Sequence, residues 1–239
     1  MNNQDTIIAL ATPSGVGAIS ILRISGTDAI SICNKLFKSI HNKNLLNQST
    51  HSLHLGHIID GSRVLDEVLI SLFKNPQSYT GEDTVEISCH GSYYIQQEIL
   101  QLFIRNGCRA AEPGEFTLRA FLNGKLDLSQ AEAVADLIAS DSASAHEIAL
   151  QQMRGGFSSE IKELREELLN FASLVELELD FSEEDVAFAD RKQFEELTER
   201  IIRVLKHLID SFSTGNVIKN GIPISIICLL YTSPSPRDS

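Results

Sequence analysis

The chain has 239 residues, 43% of them apolar and 22% charged, the balance of a globular protein able to bury a core. Its 20 Lys and Arg against 32 Asp and Glu leave a net charge of −12. That weighs against independent nucleic-acid binding, which draws on surplus cationic side chains to displace phosphate counterions, so any nucleic-acid role borrows charge from a partner. No stretch approaches the roughly 18 uninterrupted apolar residues of a spanning helix, and Met1-Asn2-Asn3-Gln4-Asp5 lacks the basic-then-apolar order of a signal peptide. Neither a membrane span nor a leader is expected. Cysteines 33, 89, 108 and 228 show no C-x-x-C spacing, which argues against a disulfide framework or structural zinc and for a reducing cytoplasm.

In chain order, Thr6–Ala11 is a short apolar run that fits a buried strand, and Thr12–Gly17 is a turn. Ala18–Ile24 is a second β-prone run with Ile19, Ile21 and Arg23 on one side of a period-2 ribbon. Ser25-Gly-Thr-Asp28 can cap a helix whose apolar positions are Ile30, Cys33, Leu36 and Phe37. Leu53–Ile59 and Val64–Phe73 flank Asp60-Gly61, a hairpin turn signal. Thr84–Cys89 reads as a strand and Ser92–Ile104 as a helix. Helices interleave with strands, yet a hairpin is present, so the pattern predicts α+β rather than a doubly wound parallel sheet.

After about residue 113 the pattern turns helical. Pro113-Gly114-Glu115 opens a helix through Phe121, and Ser129-Gln-Ala-Glu132 has the form of a capping box before an alanine-rich helix. Ile161, Leu164, Leu168, Phe171 and Val175, then Phe194, Leu197, Ile201, Val204 and Leu208, define two amphipathic helices. An acidic loop, Asp180–Asp185, separates them, and an antiparallel pair in a helical bundle is predicted. Acidic side chains outnumber basic ones by about two to one over Ser158–Asp210, as on a solvated helical face. Ile222–Leu230 is an apolar, β-prone run before the polar tail Tyr231–Ser239.

Three segments gather charged or flexible residues beside strands: Gly15-Val-Gly17 with Arg23; Tyr79–Asp83 with Glu86 and Cys89-His90-Gly91; and Pro113–Phe116 through Asn123–Asp127. Gly15-x-Gly17 lacks the third glycine of a dinucleotide fingerprint, since position 20 is Ser, and no G-x-x-x-x-G-K-[ST] string occurs. Cys89-His90 has no further Cys or His at metal-ligand spacing and reads as a strand-end cysteine and a capping histidine. Glu86 alternates with Val85 and Ile87 on its strand, so it faces either solvent or a pocket. Spacing alone offers no catalytic dyad and no metal site.

A longer pattern carries more. Pro113-Gly-Glu-Phe-Thr-Leu-Arg-Ala-Phe-Leu-Asn-Gly-Lys-Leu-Asp-Leu-Ser-Gln-Ala-Glu-Ala-Val-Ala-Asp-Leu-Ile138 closely resembles the MnmE (TrmE) family of tRNA modification GTPases. So do Asp5–Gly26, with Ala-Thr-Pro-Ser-Gly-Val-Gly at its centre, and Tyr79-Thr-Gly-Glu-Asp-Thr-Val-Glu-Ile-Ser-Cys-His-Gly91. The resemblance covers roughly residues 5 to 227. At Gly91-Ser92 the family usually has two glycines.

The resemblance implies an N-terminal α+β domain of aminomethyltransferase-like fold that binds a tetrahydrofolate and dimerises, then an all-α helical-bundle domain interrupted by a Ras-like GTPase domain. The expected domains are residues 1–120, 121–214 and the start of the GTPase domain at 215–227. It implies that Arg23, Glu86 and Lys125 contact 5-formyltetrahydrofolate or 5,10-methylene-tetrahydrofolate. A carboxylate such as Glu86 can accept two adjacent N–H donors of a pterin edge, and Arg or Lys suits the carboxylates of the folate tail; which of the three meets which end is open. With an FAD-dependent partner, MnmG, in a heterotetramer, the family adds an aminomethyl or carboxymethylaminomethyl group to C5 of the tRNA wobble uridine. GTP, Mg and K ions serve the full-length family.

Gly215–Ile227 resembles the lead-in to the GTPase domain, but the chain continues Cys228-Leu-Leu-Tyr-Thr-Ser-Pro234 where the family carries its Gly-Lys-Ser loop. Residues 228–239 are therefore expected to be a non-native tail, and the chain is expected to bind folate and dimerise without hydrolysing GTP. An incomplete bundle should leave apolar seams exposed. Two other readings compete: a non-catalytic dimerisation scaffold, and a stand-alone folate-dependent one-carbon transferase.

Overall fold

The computed structural model describes residues 5–156, 158–180, 191–220 and 225. They fall into two compact units, Met1–Glu132 and Ala133–Ser239.

The first unit is built on β1 (Thr6–Leu10), β2 (Ile19–Ser25), β3 (Phe37–Ser39), β4 (Ser52–Asp60), β5 (Arg63–Phe73), β6 (Thr84–His90) and β7 (Cys108–Ala110). They form one sheet in the order β3-β4-β5-β6-β2-β1-β7. Every pairing is antiparallel except β1 with β7. Helices α1 (Ala29–Leu36) and α2 (Tyr93–Arg105) pack on one face, and α3 (Glu115–Leu122) follows β7. The period-2 rule sorts the faces. Leu22, Ile24, Val68, Ile70, Leu72, Val85 and Ile87 are buried in one core with Ile30 and Cys33 of α1 and Ile99, Leu102 and Phe103 of α2. The alternate residues, among them Arg23, Ser71, Glu86 and Ser88, lie on the opposite face. The predicted α+β class holds, and the hairpin turns where Asp60-Gly61 placed it, with Asp60 paired to Arg63.

Phe37 does not end the first helix as its periodicity predicts. The helix stops at Leu36, and Phe37 is extended and pairs with Ile58 on the edge of the sheet. Gly56 in β4 makes this possible: a Cβ there would lie 2.6 Å from the Phe37 ring and 2.3 Å from the Lys38 carbonyl oxygen. Packing outweighs helix periodicity at this residue.

Helices α4 (Leu128–Ala139), α5 (Ala143–Met153), α6 (Ser158–Asp180) and α7 (Arg191–Asn220) complete the described residues. The capping box sits two residues earlier than expected. Gln130 N–H donates to Asp127 Oδ1 at 2.8 Å and Asp127 N–H to Gln130 Oε1 at 2.9 Å, so Asp127 rather than Ser129 opens α4. Ser142 Oγ caps α5 by accepting from Ala145 N–H at 3.2 Å. The two long amphipathic helices are antiparallel: Phe171 stacks on Phe194 with ring centres 4.9 Å apart, and Arg200 donates to both oxygens of Glu167 at 2.8 Å. Leu164 is buried, yet Ile161, Leu168 and Val175 from the same seam are exposed, because two helices cover only part of each other's apolar stripe. The predicted acidic loop past Asp180, the run at 222–230 (apart from residue 225) and the tail at 231–239 lie outside the described residues. No helix among the described residues is long and apolar enough to cross a membrane.

Candidate functional site

Arg23 and Glu86 are direct partners in the β2–β6 ladder. Their side chains stand on the sheet face away from α1 and α2, and Arg23 Nε donates to Glu86 Oε1 at 2.8 Å while NH2 lies 2.8 Å from the same oxygen. Both side chains remain about a quarter exposed, 26% and 23%. No hydrogen bond reaches Glu86 Oε2 among the described residues, so the pair keeps one unused acceptor.

Two aromatic rings frame the guanidinium. Arg23 Cζ is 5.1 Å from the centre of the Tyr79 ring and 5.7 Å from that of Phe116, within cation–π range. Tyr79 comes from the 75–83 loop and Phe116 from α3. The Tyr79 hydroxyl and Thr117 Oγ1 are 3.0 Å apart, which ties the loop to the helix.

Lys125 follows α3 and lies along the same loop. Its Nζ donates to the Pro76 carbonyl at 3.1 Å, and Asn123 Nδ2 donates to the Thr80 carbonyl at 2.8 Å. Gly81 has φ +78°, and a Cβ there would come within 3.1 Å of Asn123 Cβ and 3.2 Å of Lys125 Cγ. Glycine thus serves both the left-handed turn and the close approach. Of the three sequence-predicted residues, the fold joins Arg23 and Glu86 in one ion pair and sets Lys125 on the adjoining loop; no bond links Lys125 to that pair among the described residues.

Beneath the loop lies an ionic cluster that spacing did not single out. Arg119 of α3, 3% exposed, donates to the Asp5 carbonyl at 2.8 Å, to Asp5 Oδ1 at 2.6 Å, to Glu82 Oε2 at 3.2 Å and to Glu115 Oε1 at 3.2 Å. Arg109 of β7 reaches Glu115 Oε1 at 2.5 Å and Asp5 Oδ2 at 2.6 Å. The hydrogen bond from Arg109 holds the Glu115 carboxyl down at about 2, against the opposing push of burial. Burial works against the charge on Arg119, but Glu82, Asp5 and Glu115 overcome it and raise its pKa. The one clue in the sequence was Glu115 and Arg119 at i, i+4 on a helix.

Cys89 is buried, its thiol pushed up to about 11 by desolvation and the nearby Asp66, so it is no ready nucleophile. His90 does not cap α2, whose N-cap is Ser92; its Nδ1 and backbone N–H both bond the Asp66 carboxylate, at 2.7 and 2.8 Å.

Residues 6–125 match the family model described as the GTP-binding protein TrmE N-terminus, and residues 128–223 match the MnmE helical domain. The chain belongs to the TrmE/MnmE family. A tRNA modification GTPase MnmE from Flavobacterium johnsoniae is 72% identical over 95% of this chain and 49% of its own length. Those from Flavobacterium psychrophilum and Bacteroides fragilis are 69% and 60% identical, each over 94% of this chain and 48% of its own length. The chain therefore spans about half the length of the curated relatives it matches, and the matched half comprises the TrmE/MnmE N-terminal and helical domains.

Proposed function

We propose that this chain is the folate-binding and helical portion of a cytoplasmic tRNA modification GTPase, with residues 1–120 holding the ligand, 121–214 forming the first part of the helical domain and 215–227 opening the GTPase domain. The observation that carries the reading is the Arg23–Glu86 pair, in which Glu86 keeps one oxygen without a partner among the described residues while Tyr79 and Phe116 lie against the guanidinium. That donor set fits a pterin: Glu86 Oε2 accepts from the N–H edge, and Arg23 holds the carboxylate in place through Oε1. With Arg23 committed to Glu86, Lys125 is the cation left for a tail carboxylate. A bound 5-formyl- or 5,10-methylene-tetrahydrofolate supplies the one-carbon unit, and the chain's own residues bind and orient it.

The same sheet face carries Leu53, Leu55 and Leu69, which are 63%, 41% and 36% exposed on adjacent strands. This row supports homodimerisation through the N-terminal domain. In the whole protein, assembly with the FAD-dependent MnmG and tRNA follows, leading to modification at C5 of the wobble uridine. GTP, Mg and K ions belong to the family's GTPase domain; residues 1–239 hold no Gly-Lys-Ser phosphate loop.

Titration calorimetry with 5-formyltetrahydrofolate tests the reading. The wild type binds, and Glu86→Ala weakens binding by at least about tenfold, as expected for a lost charged hydrogen-bond acceptor. Equal affinity of the two proteins removes Glu86 from the site. A dimer in the ultracentrifuge that gives no heat of binding favours the scaffold reading instead.

A further inference from the structure

Nothing in the proposed ligand chemistry uses Arg119, although it is the most heavily engaged cation among the described residues. Its partners explain why it matters to the site. Glu82, which it holds, also accepts from Ser25 Oγ at 2.8 Å. Ser25 Oγ lies 2.7 Å from Thr80 Oγ1, and both residues are fully buried. Ser25 is two residues from Arg23 on the same sheet face, and Thr80 is next to Tyr79. Ser78 Oγ donates to the Glu82 carbonyl at 2.5 Å and closes the loop on itself. Beside its ties to Thr117, Asn123, Lys125 and Ser25, the loop that lays Tyr79 on Arg23 is gripped through Glu82 by a buried guanidinium, which also pins Asp5 before β1 and Glu115 at the start of α3.

We propose that Arg119 is a positioning residue for the ligand site: through Glu82 it fixes the 75–83 loop, and the loop holds Tyr79 against Arg23 so that the Arg23–Glu86 pair keeps its open oxygen facing the ligand. This rests on the folate reading above. An apolar or neutral anchor would not hold the loop in the same way, because the fork of Arg119 engages three carboxylates from three different segments at once. The buried Nε of Arg119 has no partner among the described residues, which fits a residue placed for its two terminal nitrogens.

The test uses the full chain. Glu82→Gln preserves shape and an acceptor for Ser25 but removes the charge that Arg119 grips; Arg119→Met removes the grip itself. The expected result is 5-formyltetrahydrofolate affinity weakened on the order of tenfold in both, with faster deuterium uptake confined to peptides covering residues 75–83 in the ligand-free protein. The double variant Glu82→Gln with Tyr79→Leu should bind no more weakly than Tyr79→Leu alone, because both act through one ring. A purely structural role would spread exchange over the whole first unit and give additive losses. If Arg119→Met does not fold, Glu82→Gln decides. Unchanged affinity and unchanged exchange in Glu82→Gln overturn the assignment of Arg119 while leaving the folate reading intact. Failure of the wild type to bind folate overturns that reading, and the exchange data then still decide whether Arg119 fixes the loop.

Discussion

Arg23 places two guanidinium nitrogens on a single oxygen of Glu86, each at 2.8 Å, across a central strand pair. A bidentate fork would have used both oxygens; this geometry spends one and leaves the other for an outside donor. The Arg23 guanidinium also lies within cation–π range of two rings. Arg23→Lys keeps the charge but loses both the fork and the planar face. We predict that it raises the dissociation constant for 5-formyltetrahydrofolate roughly tenfold. Calorimetry that finds the lysine variant equal to wild type would show that charge alone suffices.

Gly81 and Gly61 both occupy left-handed backbone, at φ +78° and +61°. A Cβ at Gly61 meets nothing within 4 Å, whereas one at Gly81 presses on Asn123 and Lys125. Each alanine substitution should cost about 1–2 kcal/mol for the conformation. Gly81→Ala should cost more and should also weaken ligand binding, while Gly61→Ala leaves binding alone. Thermal melts paired with calorimetry separate the two; equal melting temperatures and equal affinities would contradict the close approach at Gly81.

The Glu115 carboxyl titrates near 2 in the folded chain against 4.5 as its ordinary value, first because of its hydrogen bond to Arg109. Asp5 is lowered by the same arginine. Because the unfolded chain binds these protons more readily, the stabilisation is fully present above about pH 4.5 and is lost as pH falls toward 2. Urea midpoints between pH 5 and pH 3 should fall steeply for the wild type and less steeply for Glu115→Gln, which starts from a lower midpoint. Parallel slopes would argue against the cluster as the source.

His54 sets a second window. Burial, with a smaller push from Lys43, lowers its pKa below 6.5. Its Nε2 lies 2.8 Å from Ser52 Oγ, and Nδ1 has no partner among the described residues. The folded state favours the neutral ring, so this stability is intact above about pH 6.5 and declines as pH drops below it. His54→Leu should flatten the urea midpoint between pH 6.5 and 5; an unchanged slope there would assign the dependence to another group.

Period-2 alternation in β2 and β6 made the two-faced sheet readable, and it put Arg23 and Glu86 on the sheet face away from the packed helices. Local turn chemistry at Asp60-Gly61 fixed the hairpin. Phe37 escapes its helical periodicity because that pattern cannot register that Gly56, in the next strand of the chain, leaves room for a ring. Ser129 and Asp127 are both competent caps, and only the reciprocal bonds with Gln130 choose Asp127. The Arg119 cluster was hidden for a different reason: its members come from residues 5, 82, 109, 115 and 119, and sequence distance conceals a contact made by tertiary folding. The aromatic pair was half visible, since Tyr79 and Phe116 lay in segments already marked by resemblance, but nothing local told that both rings would flank one guanidinium.

The parallel pairing of β1 with β7 joins Thr6–Ile8 to Cys108–Ala110, so the first strand to leave the ribosome waits about a hundred residues for its last neighbour. Until then one border of β1 is an unsatisfied template for any passing extended peptide. Nascent chains arrested before residue 108 should therefore be the ones that clump or recruit chaperones, and those arrested a few dozen residues later should not.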